Sequence, residues 1–151
     1  MVEIKNILCA VDFSEISTEV ASYARNLAGA LNANVHVLYV APSIDQFSYL
    51  RIPPTDFQNR ISEAIIDAEQ TMETFIRDNF STENVTGKVL SGYTAEVIID
   101  FADHENIDLI VMGTHGRRGF DRILFGSVAE KVVKSSRVPV VTVRPRQESY
   151  Q

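Results

Sequence analysis

Strand-like and helix-like apolar spacing alternate along the whole of this chain, and that alternation limits its fold more than any single motif. Residues Ile4 to Val11 form a short apolar run with the character of a buried strand. Ile16, Val20, Ala24, Leu27, Ala28 and Leu31 then recur at helical spacing, with Ser14 placed to cap that helix. Ala33 to Val40 reads as a second strand. A connection over 42–55 holds Pro42, Pro53 and Pro54, and the positions from Phe57 to Ile76 mark a helix of about five turns. Asn84 to Leu90, less apolar, reads as a third strand nearer an edge. Thr94 caps a short helix through Val97, Ile98, Phe101 and Ala102. Ile107 to Met112, apolar almost throughout, has the pattern of a central parallel strand. A helix from Val128 to about Ser135 leads to a fifth strand, Val138 to Val143. Strict β-α alternation predicts an α/β fold: an open parallel sheet, helices on both faces, right-handed crossovers.

The 151 residues suit one domain, which at this length buries roughly two-thirds of its unfolded surface. No apolar run reaches the roughly 18 residues that a membrane span needs. The first residues enter a strand pattern directly and lack the layout of a signal peptide. Cys9 is the one cysteine, so no disulfide forms within the chain, and a buried thiol in a reducing, cytoplasmic setting is expected. The net charge of −6 argues against general nucleic-acid binding. The charge is uneven, however: residues 113–146 hold eight Lys and Arg against two Asp and Glu. A local positive field on an acidic protein suits a small anion.

That basic segment contains Gly113, Thr114, His115 and Gly116, then nine residues, then Gly126 and Ser127. It lies between the end of the fourth strand and the start of the last helix. Glycines let backbone approach a ligand with no Cβ in the way. A helix N-terminus offers unpaired N–H groups and the positive end of the dipole. Strand, glycine loop and helix start, in that order, predict a phosphate-bearing ligand. The plain alternative is that Gly113 and Gly116 only turn the chain. Ser127 and Glu130 also match a capping box, worth about 1 kcal/mol, and a serine can cap when the site is empty and face phosphate when it is full.

Other phosphate signatures are missing. There is no P-loop pattern, and the first β-α turn, Val11 to Ser14, has no glycine for a dinucleotide fingerprint. Asp12 at the tip of the first strand can accept hydrogen bonds from ribose hydroxyls or face a phosphate-held metal; its structural alternative is a helix-cap role with Ser14. His36 and His104 have no metal-ligand spacing and read as structural or surface groups. Among Arg117, Arg118 and Arg122, Arg117 is the one expected near phosphate. Phe47, Tyr49, Leu50 and Ile52 give the long connection an apolar stripe, read as packing onto the domain.

These residues resemble the nucleotide-binding branch of the universal stress protein family, which carries G-2x-G-9x-G-S/T after strand four. Gly113, Gly116, Gly126 and Ser127 match with the spacing intact. The strand end Ala10, Val11, Asp12, the loop from Met112 to Gly116, and the strand from Val138 also look like the family. The resemblance implies a Rossmann-like fold of the adenine nucleotide α-hydrolase type with strand order 3-2-1-4-5, a domain over 1–146 and a tail over 147–151. It implies that Ala10, Val11 and Asp12 line the ribose and adenine pocket, and that Val40 meets the adenine through its main chain. Met112 and Gly113 would pack on the nucleoside. Gly116, Gly126, Ser127 and Val128 would hold the phosphates of ATP, with Mg2+ or Mn2+ held only through phosphate oxygens; Thr114, His115 and Arg117 of the same loop are further candidates for ligand contact, and His115 could alternatively act as an acid or base.

The resemblance further implies an ATP-binding regulatory protein acting in stress responses as a homodimer, with a regulatory protein partner. Residue chemistry points the same way on dimerisation, because Val138 to Val143 is an apolar edge if left bare. Cover by a terminal loop or by the tail from Arg144 to Gln151 is the alternative. Two other functional readings stand beside this one: a slow ATPase or self-phosphorylating enzyme, and an interaction module with a vestigial pocket. The sequence supplies no clear general base for the enzyme.

Overall fold

The computed structural model describes residues 2–41, 43, 54–81, 83–115 and 126–145, the side chains of 54–57 excepted. Nine elements follow one another: β1 (Asn6–Ala10), α1 (Ile16–Leu31), β2 (Asn34–Ala41), α2 (Pro54–Asn79), β3 (Val85–Ser91), α3 (Thr94–His104), β4 (Leu109–Gly113), α4 (Ser127–Ser135) and β5 (Val140–Val143). All four strand pairings are parallel, in the order β3-β2-β1-β4-β5. Strand order reverses between β1 and β4, whose carboxyl ends align with Ala10 opposite Met112. The less apolar β3 lies at one edge, as its composition predicts.

Two apolar cores sandwich the sheet, and the alternation of side chains along each strand divides them. Ile7, Cys9 and Val11 of the β1 segment join Val35, Val37, Leu109 and Val111 under α1 and α2. Leu8 and Ala10 join Leu38, Val40, Ile110 and Met112 under α3 and α4. The near-continuous apolar runs of β1 and β4 are thus explained by burial on both faces. Cys9 is fully buried, and desolvation pushes its thiol up to about 12. No helix among the described residues is long and apolar enough to cross a membrane.

Most element boundaries shift by one to three residues from the sequence expectation, and three of the shifts have a backbone reason. β1 begins at Asn6, because the Lys5 and Asn6 N–H groups donate to the Asp108 carboxylate (2.8 and 3.0 Å) outside the ladder. β5 begins after Pro139, which has no N–H to give, although its carbonyl accepts from Ile110 at 3.0 Å. α2 runs for 26 residues from Pro54, since a proline is tolerated in the first turn of a helix. Three helix-to-strand turns at the amino end of the sheet use asparagine with positive φ: Asn32 (54°), Asn84 (67°) and Asn106 (52°). Asparagine visits this region at lower cost than other residues with a Cβ.

Candidate functional site

Two connections meet at the carboxyl ends of β1 and β4. The first leaves β1 through Val11, whose N–H still donates to Leu38 O at 2.9 Å. Asp12 follows, partly exposed, with one carboxylate oxygen fully engaged. Its Oδ1 accepts the Ser14 N–H (2.9 Å) and the Ser17 hydroxyl (3.1 Å). The expected Ser14 cap does not form. Glu15 holds the cap position of α1 without a side-chain bond, and the Ser14 Oγ is buried with no partner. Asp12 instead ties the turn before α1, through the Ser14 N–H, to the first turn of the helix, through the Ser17 hydroxyl. Thr94 likewise is not a cap: it is the first residue of α3, behind Tyr93.

Phe13 makes this turn possible and is its most unusual residue. Its φ is 60°, in the left-handed region, where a bulky side chain is rare. Among the described residues the other positive-φ residues with a side chain are the three asparagines at the opposite end of the sheet. The Phe13 ring stacks on Tyr39 (centroids 4.7 Å apart, planes at 27°) and meets Phe75 edge-on at 5.6 Å. Such ring pairs are each worth about 0.5–1.5 kcal/mol, comparable to the strain of the turn at about 1–3 kcal/mol. A testable order follows. Phe13→Ala keeps the strain and loses both ring contacts, whereas Phe13→Gly loses the contacts and relieves the strain. Urea unfolding should therefore find Phe13→Gly more stable than Phe13→Ala by about 0.5–1 kcal/mol, the reverse of the usual order. Equal or inverted stabilities would show the turn to be unstrained.

The second connection leaves β4. Thr114 is 4% exposed, its N–H donates to Val143 O (3.0 Å), and its carbonyl accepts the Gly126 N–H at 2.7 Å. Residue 126 is thereby held against residues 114 and 115. A Cβ at Gly126 would stand 3.2 Å from Thr114 O and 3.7 Å from the His115 Cα. Close backbone packing is thus one reason for that glycine, and it fixes the start of α4 at the carboxyl end of β4. The Thr114 hydroxyl lies 3.0 Å from His115 Nδ1, and the other ring nitrogen, Nε2, is buried with no partner among the described residues.

The capping box over Ser127 and Glu130 does not form either. Gly126 occupies the cap position, Ser127 is the first helical residue, and no side chain among the described residues caps the helix. Glu130 instead accepts from Lys134 at 2.8 Å, and that hydrogen bond, with the lysine charge, holds its carboxyl below the usual range. The first-turn N–H groups of α4, those of Ser127, Val128 and Ala129, have no acceptor within the helix. They stand at the positive end of its dipole.

The candidate residues separate by sheet face. Ala10, Val40 and Met112 share the core on the α3/α4 side with Ala129, and Val128 packs against it. Val11 belongs to the opposite core. Asp12 and Thr114 each lie two positions beyond the aligned pair Ala10 and Met112. Gly116, Arg117, Arg118, Arg122, most of the 42–55 connection and the tail 147–151 lie outside the described residues. His36 bridges Asn6 Oδ1 (3.3 Å) and Thr86 Oγ1 (3.2 Å), and His104 Nδ1 faces Asp100 O at 2.7 Å, so both serve structure. Sequence reasoning missed Ser17, which is buried at helical spacing and so reads as packing.

A model of the Universal stress protein family matches residues 3–144. The chain is 35% identical over 149 residues to universal stress protein MJ0531 of Methanocaldococcus jannaschii, covering 95% of this chain and 85% of that one. The solved structure of protein MJ0577 superposes with a TM-score of 0.80 at 27% identity, over 97% of this chain and 100% of that one. A universal stress protein from Archaeoglobus fulgidus, solved in complex with dAMP, shares the fold with a TM-score of 0.62 at 24% identity, covering 94% and 98%.

Proposed function

The chain belongs to the universal stress protein family, and from that premise we propose that it binds an adenine nucleotide, ATP foremost, between the carboxyl ends of β1 and β4. One observation carries the reading: the start of α4, uncapped among the described residues and tied to Thr114 by a 2.7 Å hydrogen bond, beside a buried His115 Nε2 that no described residue partners. An anion that accepts from the amides of Ser127 and Val128 satisfies donors the protein leaves open. His115 Nε2 adds a further donor when it carries the proton. The phosphates are held by Thr114, His115, Gly116, Arg117, Gly126, Ser127 and Val128. Met112, Gly113, Ala10, Val11 and the Val40 main chain receive the nucleoside, and Asp12 takes the ribose hydroxyls.

Among the described residues no three His, Cys, Asp or Glu side chains stand close enough to hold a metal ion. Mg2+ or Mn2+ arrives on the phosphates of the nucleotide, neutralising their charge. The protein acts as a homodimer through the edge Val138 to Val143, where β5 pairs, among the described residues, with β4 alone and Val140, Val141 and Thr142 are half-buried. Nucleotide occupancy, sensed at the start of α4, regulates a protein partner in a cytoplasmic stress response. Melting the purified protein with and without Mg-ATP tests the binding. A dissociation constant of ~10 µM at ~1 mM ATP stabilises by ~2.7 kcal/mol, a rise of about 5–10 °C in Tm for a chain of this size. No rise, together with no nucleotide in an acid extract, overturns the proposal.

A further inference from the structure

We propose that Ser17 is a positioning residue that aims the Asp12 carboxylate and so makes the site selective for ligands bearing a ribose diol; this rests on the nucleotide reading above. Among the described residues only two polar side chains are buried, Ser17 at 2% exposed and Thr114 at 4%. Each contacts a candidate ligand group at the same end of the sheet, Ser17 on Asp12 and Thr114 on His115. Ser17 lies on the stripe of α1 otherwise filled by Val20, Ala21, Ala24 and Ala28. Packing there calls for alanine, and a buried hydroxyl costs free energy unless it finds a partner. Its partner is Asp12 Oδ1 at 3.1 Å, an oxygen that also accepts the Ser14 N–H at 2.9 Å.

Two donors on one oxygen, one from α1 and one from the strained Phe13 turn, fix both side-chain torsions of Asp12. No group among the described residues reaches Oδ2, and Asp12 is partly exposed. The carboxylate thus presents one acceptor oxygen in a set direction while the other is held from behind. Two adjacent hydroxyl donors, the 2′ and 3′ groups of a ribose, match such an acceptor. A ligand with neither hydroxyl gains nothing from the alignment.

Calorimetric titration of wild type and Ser17→Ala with Mg-ATP and with Mg-2′,3′-dideoxyATP tests this. Ser17→Ala should weaken ATP about three- to tenfold and leave dideoxyATP unchanged, so that the wild-type preference for the diol shrinks by that factor. Ser17→Cys, close in size and still a weak donor, should restore part of the preference and covers the case in which the alanine variant misfolds. Equal weakening of both ligands, or of neither, overturns the role of Ser17 while the nucleotide reading stands. A wild-type protein that binds neither ligand overturns the nucleotide reading, and this inference with it.

Discussion

Gly126→Glu should abolish nucleotide binding, lowering ATP affinity at least about 100-fold, while the fold survives. The new Cβ meets Thr114 O at 3.2 Å, so the neighbouring backbone shifts by a few tenths of an ångström. The added carboxylate sits at the cap position of α4, where it accepts from the open first-turn N–H groups and occupies the proposed place of the phosphates. A negative charge at a helix N-terminus contributes about 0.3–1 kcal/mol of stability, which offsets part of the crowding. The same charge about 4 Å from a phosphate repels it by about 4 kcal/mol at an effective dielectric constant near 20. The electrostatic effect exceeds the steric one, so binding is lost and Tm without ligand changes by only a few degrees. Gly126→Ala adds the Cβ without the charge and should weaken ATP by no more than about tenfold, since 1.4 kcal/mol is one decade. Isothermal titration of both variants checks the pair. Glutamate tolerated within a few-fold of wild type would place the anion elsewhere.

Ile110→Ala should lower stability by about 4 kcal/mol, the largest stability loss foreseen here. Ile110 is fully buried at the centre of β4 and packs in the core between the sheet and the α3/α4 layer. Its strand neighbours are Leu8 on one side and Val140 on the other, which gives the cavity little freedom to collapse. Tm should fall by about 8–16 °C, at 2–4 °C per kcal/mol for a chain of this length. Val140→Ala, on the half-buried edge strand, should cost about 1 kcal/mol. Urea midpoints at constant slope report both. A loss at position 110 no greater than at 140 would contradict the assignment of β4 to the interior of the sheet and of β5 to its edge.

The residues of β1 show what was legible in the sequence. A run in which every side chain from Ile7 to Val11 is apolar fits only a strand covered on both faces, and the two cores take alternate members of it. The β-α alternation foretold a parallel sheet, but the order 3-2-1-4-5 came from resemblance, because periodicity says nothing about which strands are neighbours. The caps were misread at Ser14, Thr94 and Ser127. A hydroxyl residue ahead of a helical pattern looks the same whether its oxygen turns to the helix or away. At α1 a carboxylate two residues upstream takes the Ser14 N–H, and at α4 the cap position is Gly126, with no capping side chain among the described residues. Phe13 carried no signal, since positive φ is anticipated at glycine or asparagine and its cost here is offset by tertiary ring contacts. Ser17 was hidden by its own regularity: its spacing is that of a core alanine, and only its hydrogen bond separates it from one. The glycine pair was foreseen as a ligand feature, and Gly126 also has a packing reason.

Amide-resolved NMR titration with Mg-ATP tests the central claim most directly. The account predicts that the N–H signals of Gly126, Ser127 and Val128 and the ring resonances of His115 move together and saturate with one dissociation constant. Saturable ATP binding that leaves those signals in place, or no binding at millimolar ATP, would contradict it.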